Sequence, residues 1–142
     1  MSNLKDIQEI LTLYNQGDFS NGIKRCENIF DSNKTNPIFL HIFGLFHHAL
    51  SNQEKAISLY KKSLEIKPDY IDALVSLGRL HVESDFEESF FNFNMALQLN
   101  EQSVDILNCL GDLHFKYEKY ELAKEYFHKA LNKNQSDNIS MS

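Results

Sequence analysis

The sequence has little of what breaks a helix. Two prolines and five glycines are spread through 142 residues, too few for the turns of a loop-rich β fold, so helices are expected. Cysteine is nearly as scarce. Cys26 and Cys109 fit no CxxC spacing and no disulfide framework, which predicts a reducing, cytoplasmic setting. Basic charge is in deficit, with 14 Lys and Arg against 20 Asp and Glu and a net charge of −6. A phosphate backbone needs a cationic face, so no nucleic-acid partner is expected. Long apolar runs are missing too. A long charge-free stretch, Pro37 to Gln53, is interrupted by histidines and falls short of the roughly 20 apolar residues that cross a bilayer. The N-terminus has no basic segment followed by an apolar one, as a secretory leader would. No membrane role is expected.

What the sequence does have is a period. Gly44 and Gly78 stand 34 residues apart, Gly78 and Gly111 33 apart. Each glycine sits in one frame: Leu40, Phe43, Gly44, His47; then Leu74, Leu77, Gly78, His81; then Leu107, Leu110, Gly111, His114. A second frame follows each: Ala56, Tyr60, Ser63; Ser89, Phe93, Ala96; Ala123, Phe127, Ala130. Steps of three, four and seven put each set on one helix face. Every unit therefore reads as two amphipathic helices joined by a short polar turn. His47 to Ala56 is nine residues, as is His114 to Ala123, but His81 to Ser89 is eight. The deleted residue is expected in the turn inside the third unit. A weaker first unit places Gly22, Cys26 and Ile29 in the second frame and Ile10 in the glycine column.

This pattern resembles the tetratricopeptide repeat family. The stretch Leu40-x2-Phe43-Gly44-x2-His47, Ala56-x3-Tyr60 and Pro68 follows that family's W-x2-L-G-x2-Y, A-x3-F and proline. Leu replaces Trp, His replaces Tyr, and Glu101 and Gln135 stand where the third and fourth units would have proline. The resemblance covers residues 3 to about 134. It implies an all-α, right-handed superhelical solenoid of four helix-turn-helix units, forming a single domain over residues 1–135 with a polar tail at 136–142. The repeats span about 3–36, 37–70, 71–103 and 104–135.

The resemblance also implies a non-catalytic protein–protein interaction scaffold, in which the first helices line a concave groove for a protein or peptide ligand. The groove columns are Ile7, Leu11 and Tyr14 in the first unit, and Ile38, His41, Ile42, Leu45 and His48 in the second. Asp72, Val75, Ser76, Arg79 and Val82 follow in the third, Asp105, Asn108, Cys109, Asp112 and Phe115 in the fourth. The first two sets are apolar and aromatic and the last two polar and acidic, which suits a ligand with an apolar stretch and a basic end. Ile38, Ile42 and Leu45 have a second reading, packing on the first unit, and both readings stand open in the sequence. The family's clamp for chaperone C-terminal carboxylates needs groove lysines, an arginine and asparagines. Its positions here hold Ile7, Leu11, Ile42, Asp72 and Ser76 in one register, and His41, Leu45, Ser76, Asp105 and Cys109 in the next. None is a cation, so no such clamp is expected.

Chemistry-bearing motifs are thin. GxSxG, GxxxxGK[ST], GxGxxG and HExxH are all absent, so neither an enzyme nor a cofactor is expected. His47, His81 and His114 share one column. Equivalent residues on stacked helices lie about 8–10 Å apart, whereas zinc ligands must each come within roughly 2.1 Å of the metal. The column reads as packing, with no metal. His48, one residue beyond His47, points about 100° away toward the groove. Cys26 falls in a core column, and neither cysteine has an evident base.

At the far end, Phe127 and Leu131 are followed by a polar segment with no helical pattern. The last repeat is then uncovered, a surface for homo-oligomerisation. An alternative comes from likeness to the N-terminal arrays of repeat-bearing glycosyltransferases and sulfotransferases. In that reading the repeats recruit substrate, or oligomerise, as part of a larger enzyme.

Overall fold

The computed structural model describes residues 2–141, with side chains described over 4–133. Among the described residues there are nine helices and no strand. They are α1 (Ser2–Asn15), α2 (Phe19–Asn28), α3 (Phe30–Asn33), α4 (Pro37–Ala49), α5 (Gln53–Ile66), α6 (Ile71–Leu80), α7 (Phe86–Leu99), α8 (Val104–Lys116) and α9 (Tyr120–Met141). They pair as the period predicts, with α2 and the one-turn α3 together serving as the second helix of the first pair. Two compact units are present, Met1–Ser76 and Leu77–Ser142. The boundary falls inside α6.

Local chemistry starts the helices. The Asn36 side chain accepts from the Ile38 and Phe39 amides, and Pro37 supplies a first-turn residue with no amide to satisfy. Asp85 caps α7 through Glu88 N, and Ser103 caps α8 through Ile106 N. α9 runs on to Met141, although the apolar pattern ends near Leu131 and a non-helical tail is expected at 136–142. No glycine or proline follows Tyr120, so nothing in the backbone stops the helix.

The turns inside the pairs explain the missing residue. Gly17, Ser51 and Glu118 occupy equivalent positions, and all have positive φ, 74°, 64° and 62°. Each stands in a hydrogen-bonded C-terminal cap, with Asp18 N to Leu13 O, Asn52 N to His47 O and Lys119 N to His114 O at 2.8–3.0 Å. The third pair lacks this left-handed residue and the long bond. There the chain descends from Leu80 through tighter turns, His81 N to Gly78 O and Asp85 N to His81 O. The deletion thus shortens α6 to 10 residues, against 13 in α4 and α8. It removes a turn of helix and leaves the loop longer.

The glycine column is a seat for an aromatic ring. A Cβ on Gly44 would stand 2.5 Å from the Tyr60 ring, on Gly78 2.7 Å from Phe93, and on Gly111 2.4 Å from Phe127. In the first pair the sizes are exchanged. Ile10 fills the glycine column and Cys26 the aromatic one, and both are fully buried. Serines in the small column hold the pairs by hydrogen bonds, Ser63 Oγ to Pro37 O and Ser89 Oγ to Gly78 O, both 2.8 Å.

Candidate functional site

Within residues 1–76 the predicted groove positions separate by burial. Ile7 and Ile42 belong to the core with Ile10, Phe39 and Phe46, so of the two readings packing applies to Ile42. The reason is local. α4 has no charged residue and carries apolar groups around most of its circumference, so more than one face is buried. Leu11 and Ile38 stay exposed, Tyr14, Leu45, His48 and Val75 are half-buried, and Asp72 is exposed.

His41 is 8% exposed and does not reach the surface as a recognition group. Its Nε2 shares a 2.8 Å hydrogen bond with Ser76 Oγ, which ties α4 to α6, and its ring lies beside Tyr60 and Tyr70 at 5.5 and 5.4 Å. Burial lowers its pKa to about 4, against an opposing pull from the Asp72 carboxylate. The imidazole is therefore neutral in neutral solution and serves as a packed, bonded strut.

Within residues 77–142, Arg79, Asp105, Asn108 and Asp112 are all exposed. Arg79 Nη2 donates to Cys109 Sγ at 3.7 Å. Asp105 and Asp112 lie two turns apart on α8, so two carboxylates and an amide remain open to solvent on one helix.

Of the shared histidine column, His47 and His114 are packed and His81 is half-buried. His47 lies against Phe43 at 5.0 Å and accepts from Asn52 Nδ2. His114 donates from Nδ1 to the Leu110 carbonyl at 2.7 Å, among Phe86, Phe90 and Tyr126. Cys26 is buried, which raises its thiol pKa to about 12 and leaves it without nucleophilic character. Among the described residues no three His, Cys, Asp or Glu side chains are grouped to hold a metal ion.

The last pair holds a surface of which only Phe115 lies in a groove column. Phe115, Tyr120, Ala123, Lys124, Phe127, His128 and Leu131 line an open pocket of about 330 Å³. Phe115, Tyr120 and Leu131 are 59%, 54% and 52% exposed. The bare Phe127 and Leu131 pattern in the sequence signals this surface, while its aromatic rim adds Phe115 from α8 and Tyr120 from the start of α9.

Residues 39–70 match the family described as Tetratricopeptide repeat, and that stretch is the second helix pair with its seated Tyr60. The chain thus contains a tetratricopeptide repeat. Its fold matches the crystal structure of MamA at a TM-score of 0.85, with 16% identity over 94% of this chain and 78% of that one. A MamA chain from Desulfovibrio magneticus RS-1 gives 0.84, with 16% identity over 92% and 75%. These likenesses establish the all-α repeat solenoid. Among curated proteins, "Protein CTR9 homolog" of Arabidopsis thaliana is 30% identical over 120 residues. "Tetratricopeptide repeat protein 37" of Xenopus laevis is 26% identical over 131. The matches cover 81% and 86% of this tetratricopeptide repeat chain but only 11% and 8% of those relatives. No helix among the described residues is long and apolar enough to cross a membrane.

Proposed function

We propose that this chain is a non-catalytic protein-interaction scaffold that holds a peptide or helix along the first helices of its pairs. The observation that carries the reading is the distribution of accessible groove residues. Leu11, Ile38 and Leu45 are open or half-open on α1 and α4, while Asp72, Asp105 and Asp112 are exposed carboxylates on α6 and α8. The apolar positions of residues 1–76 suit an apolar segment of a ligand, and the carboxylates of residues 77–142 suit a basic one. Ile7, His41 and Ile42 are buried and lie outside this accessible set. Free thiols at Cys26 and Cys109 fit a reducing, cytoplasmic setting.

The test is affinity purification from the source cell with wild-type, Ile38→Glu and Leu45→Glu chains. A specific protein that is held by the wild type and lost from both variants, with melting unchanged, supports the groove. Retention by both variants refutes it. The curated relatives carry a stretch like this one within far longer chains, which favours a second reading, the recruiting array of a larger protein such as a glycosyltransferase- or sulfotransferase-like enzyme. Reading the natural frame past Ser142 for a catalytic domain tests it.

A further inference from the structure

The pocket of the last pair has a filled counterpart in the same chain. Three repeat steps, 101 residues, carry Tyr14, Phe19, Gly22, Ile23, Cys26 and Phe30 onto Phe115, Tyr120, Ala123, Lys124, Phe127 and Leu131. In the first pair these residues form a socket, and α4 occupies it. Phe46 lies on Gly22, so closely that a Cβ there would stand 2.1 Å from the ring. Its ring packs edge-on against Tyr14 and Phe19 at 5.5 and 6.4 Å. Phe39 and Phe43 meet Phe30 at 6.2 and 6.3 Å. The occupant is therefore a helix with large apolar residues at i, i+4 and i+7, and His47 follows at i+8. Tyr14, Phe19 and Phe30 are half-buried by it, whereas Phe115, Tyr120 and Leu131 stand more than half exposed.

The rim of the open socket differs in charge. Ile23 is replaced by Lys124, and Glu27 by His128. Glu27 lies close enough to His47 to favour its cation, against the stronger effects of burial and Lys55. Where the filled socket offers a carboxylate to a histidine, the open one offers a lysine and a histidine.

We propose that the pocket lined by Phe115, Tyr120, Ala123, Phe127 and Leu131 is a docking socket for an amphipathic helix of a partner protein. That helix carries large apolar residues at i, i+4 and i+7 and an acidic residue at i+8. A second copy of this chain fits poorly. Among the described helices α2 comes nearest, with Phe19, Ile23 and Glu27, but its i+7 residue is the small and fully buried Cys26. The helices that fill this role internally have histidine at i+8, opposite a cationic rim.

The probe is the chain's own knob helix, a fluorescent peptide of residues 36–52, made with the native sequence and with H47E. The full chain is expected to bind the H47E peptide saturably and more tightly than the native one. F115S and L131S should weaken binding about tenfold with circular-dichroism melting unchanged, and K124E should reverse the preference between the two peptides. Leu45→Glu should leave peptide binding intact, which separates this socket from the groove. Absence of saturable binding, or equal binding by F115S and L131S, overturns the proposal. Equal affinity for the two peptides in wild type and K124E overturns its acidic requirement. A concentration-dependent dimer in light scattering that F115S and L131S abolish assigns the socket to a second copy instead.

Discussion

Asp6 and Glu9 occupy the columns in which the second pair has Leu40 and Phe43. In the second pair those positions pack on what precedes them, with Phe43 6.3 Å from Phe30. In the first pair they are met by Arg25, at 3.7 Å from Asp6 and 3.0 Å from Glu9, and by Asn33 Nδ2, which donates to Asp6 at 3.1 Å. The last pair keeps its apolar set, with Phe115, Tyr120 and Leu131 open. Two pairs built from one pattern thus finish differently, one with ion pairs and hydrogen bonds and the other with bare rings. An exposed apolar patch costs solubility and persists where something docks, whereas a polar substitution closes a face.

The largest test concerns what counts as surface. Ile42→Glu places a carboxylate in the core and should cost about 4 kcal/mol or more, seen as loss of cooperative melting, while Ile38→Glu on the same helix should leave the melt nearly unchanged. Equal effects would erase the distinction between the two positions.

Acid should act next through His41. The unfolded chain takes up this proton near pH 6.5, the folded chain only near 4. The unfolded state binds more protons in that interval, so stability is lost as pH falls from about 6.5 to about 4, by up to about 3 kcal/mol. The denaturation midpoint of H41Q should fall less across that window than that of the wild type.

Seat sizes distinguish the first pair from the last. Gly111→Ile should drive a side chain into the Phe127 ring and cost roughly 1–3 kcal/mol. Adding Phe127→Cys recreates the Ile10–Cys26 exchange and should recover part of the loss in a double-mutant cycle; strict additivity would refute the exchange. The smallest effect expected is a gain. Ser51→Gly and Glu118→Gly should each stabilise by about 0.5–1 kcal/mol in thermal melts, because glycine accepts positive φ without strain.

Much of the fold is legible because a repeat states the same requirement four times. Gly44, Gly78 and Gly111 announce close approaches, and Pro37 and Asn36 a helix start. The eight-residue interval from His81 to Ser89 locates the deletion, but its consequence was hidden. Which residue is left-handed depends on φ, and neither Ser51 nor Glu118 advertises it. The candidate site was less legible. A helical wheel places Ile38 and Ile42 on neighbouring columns of α4, yet one is 46% and the other 3% exposed.

The sequence by itself determined the period, the helix pairs, the seats of small residues and the charge difference between apolar and acidic columns. Those follow from spacing and residue type, which need no neighbour to be defined. Only the tertiary structure decided that His41 is a neutral strut bonded to Ser76, that Ile42 is core, and that Phe115 and Tyr120 join Leu131 in an open socket. Burial depends on what another helix covers, and that is set by packing between segments tens of residues apart.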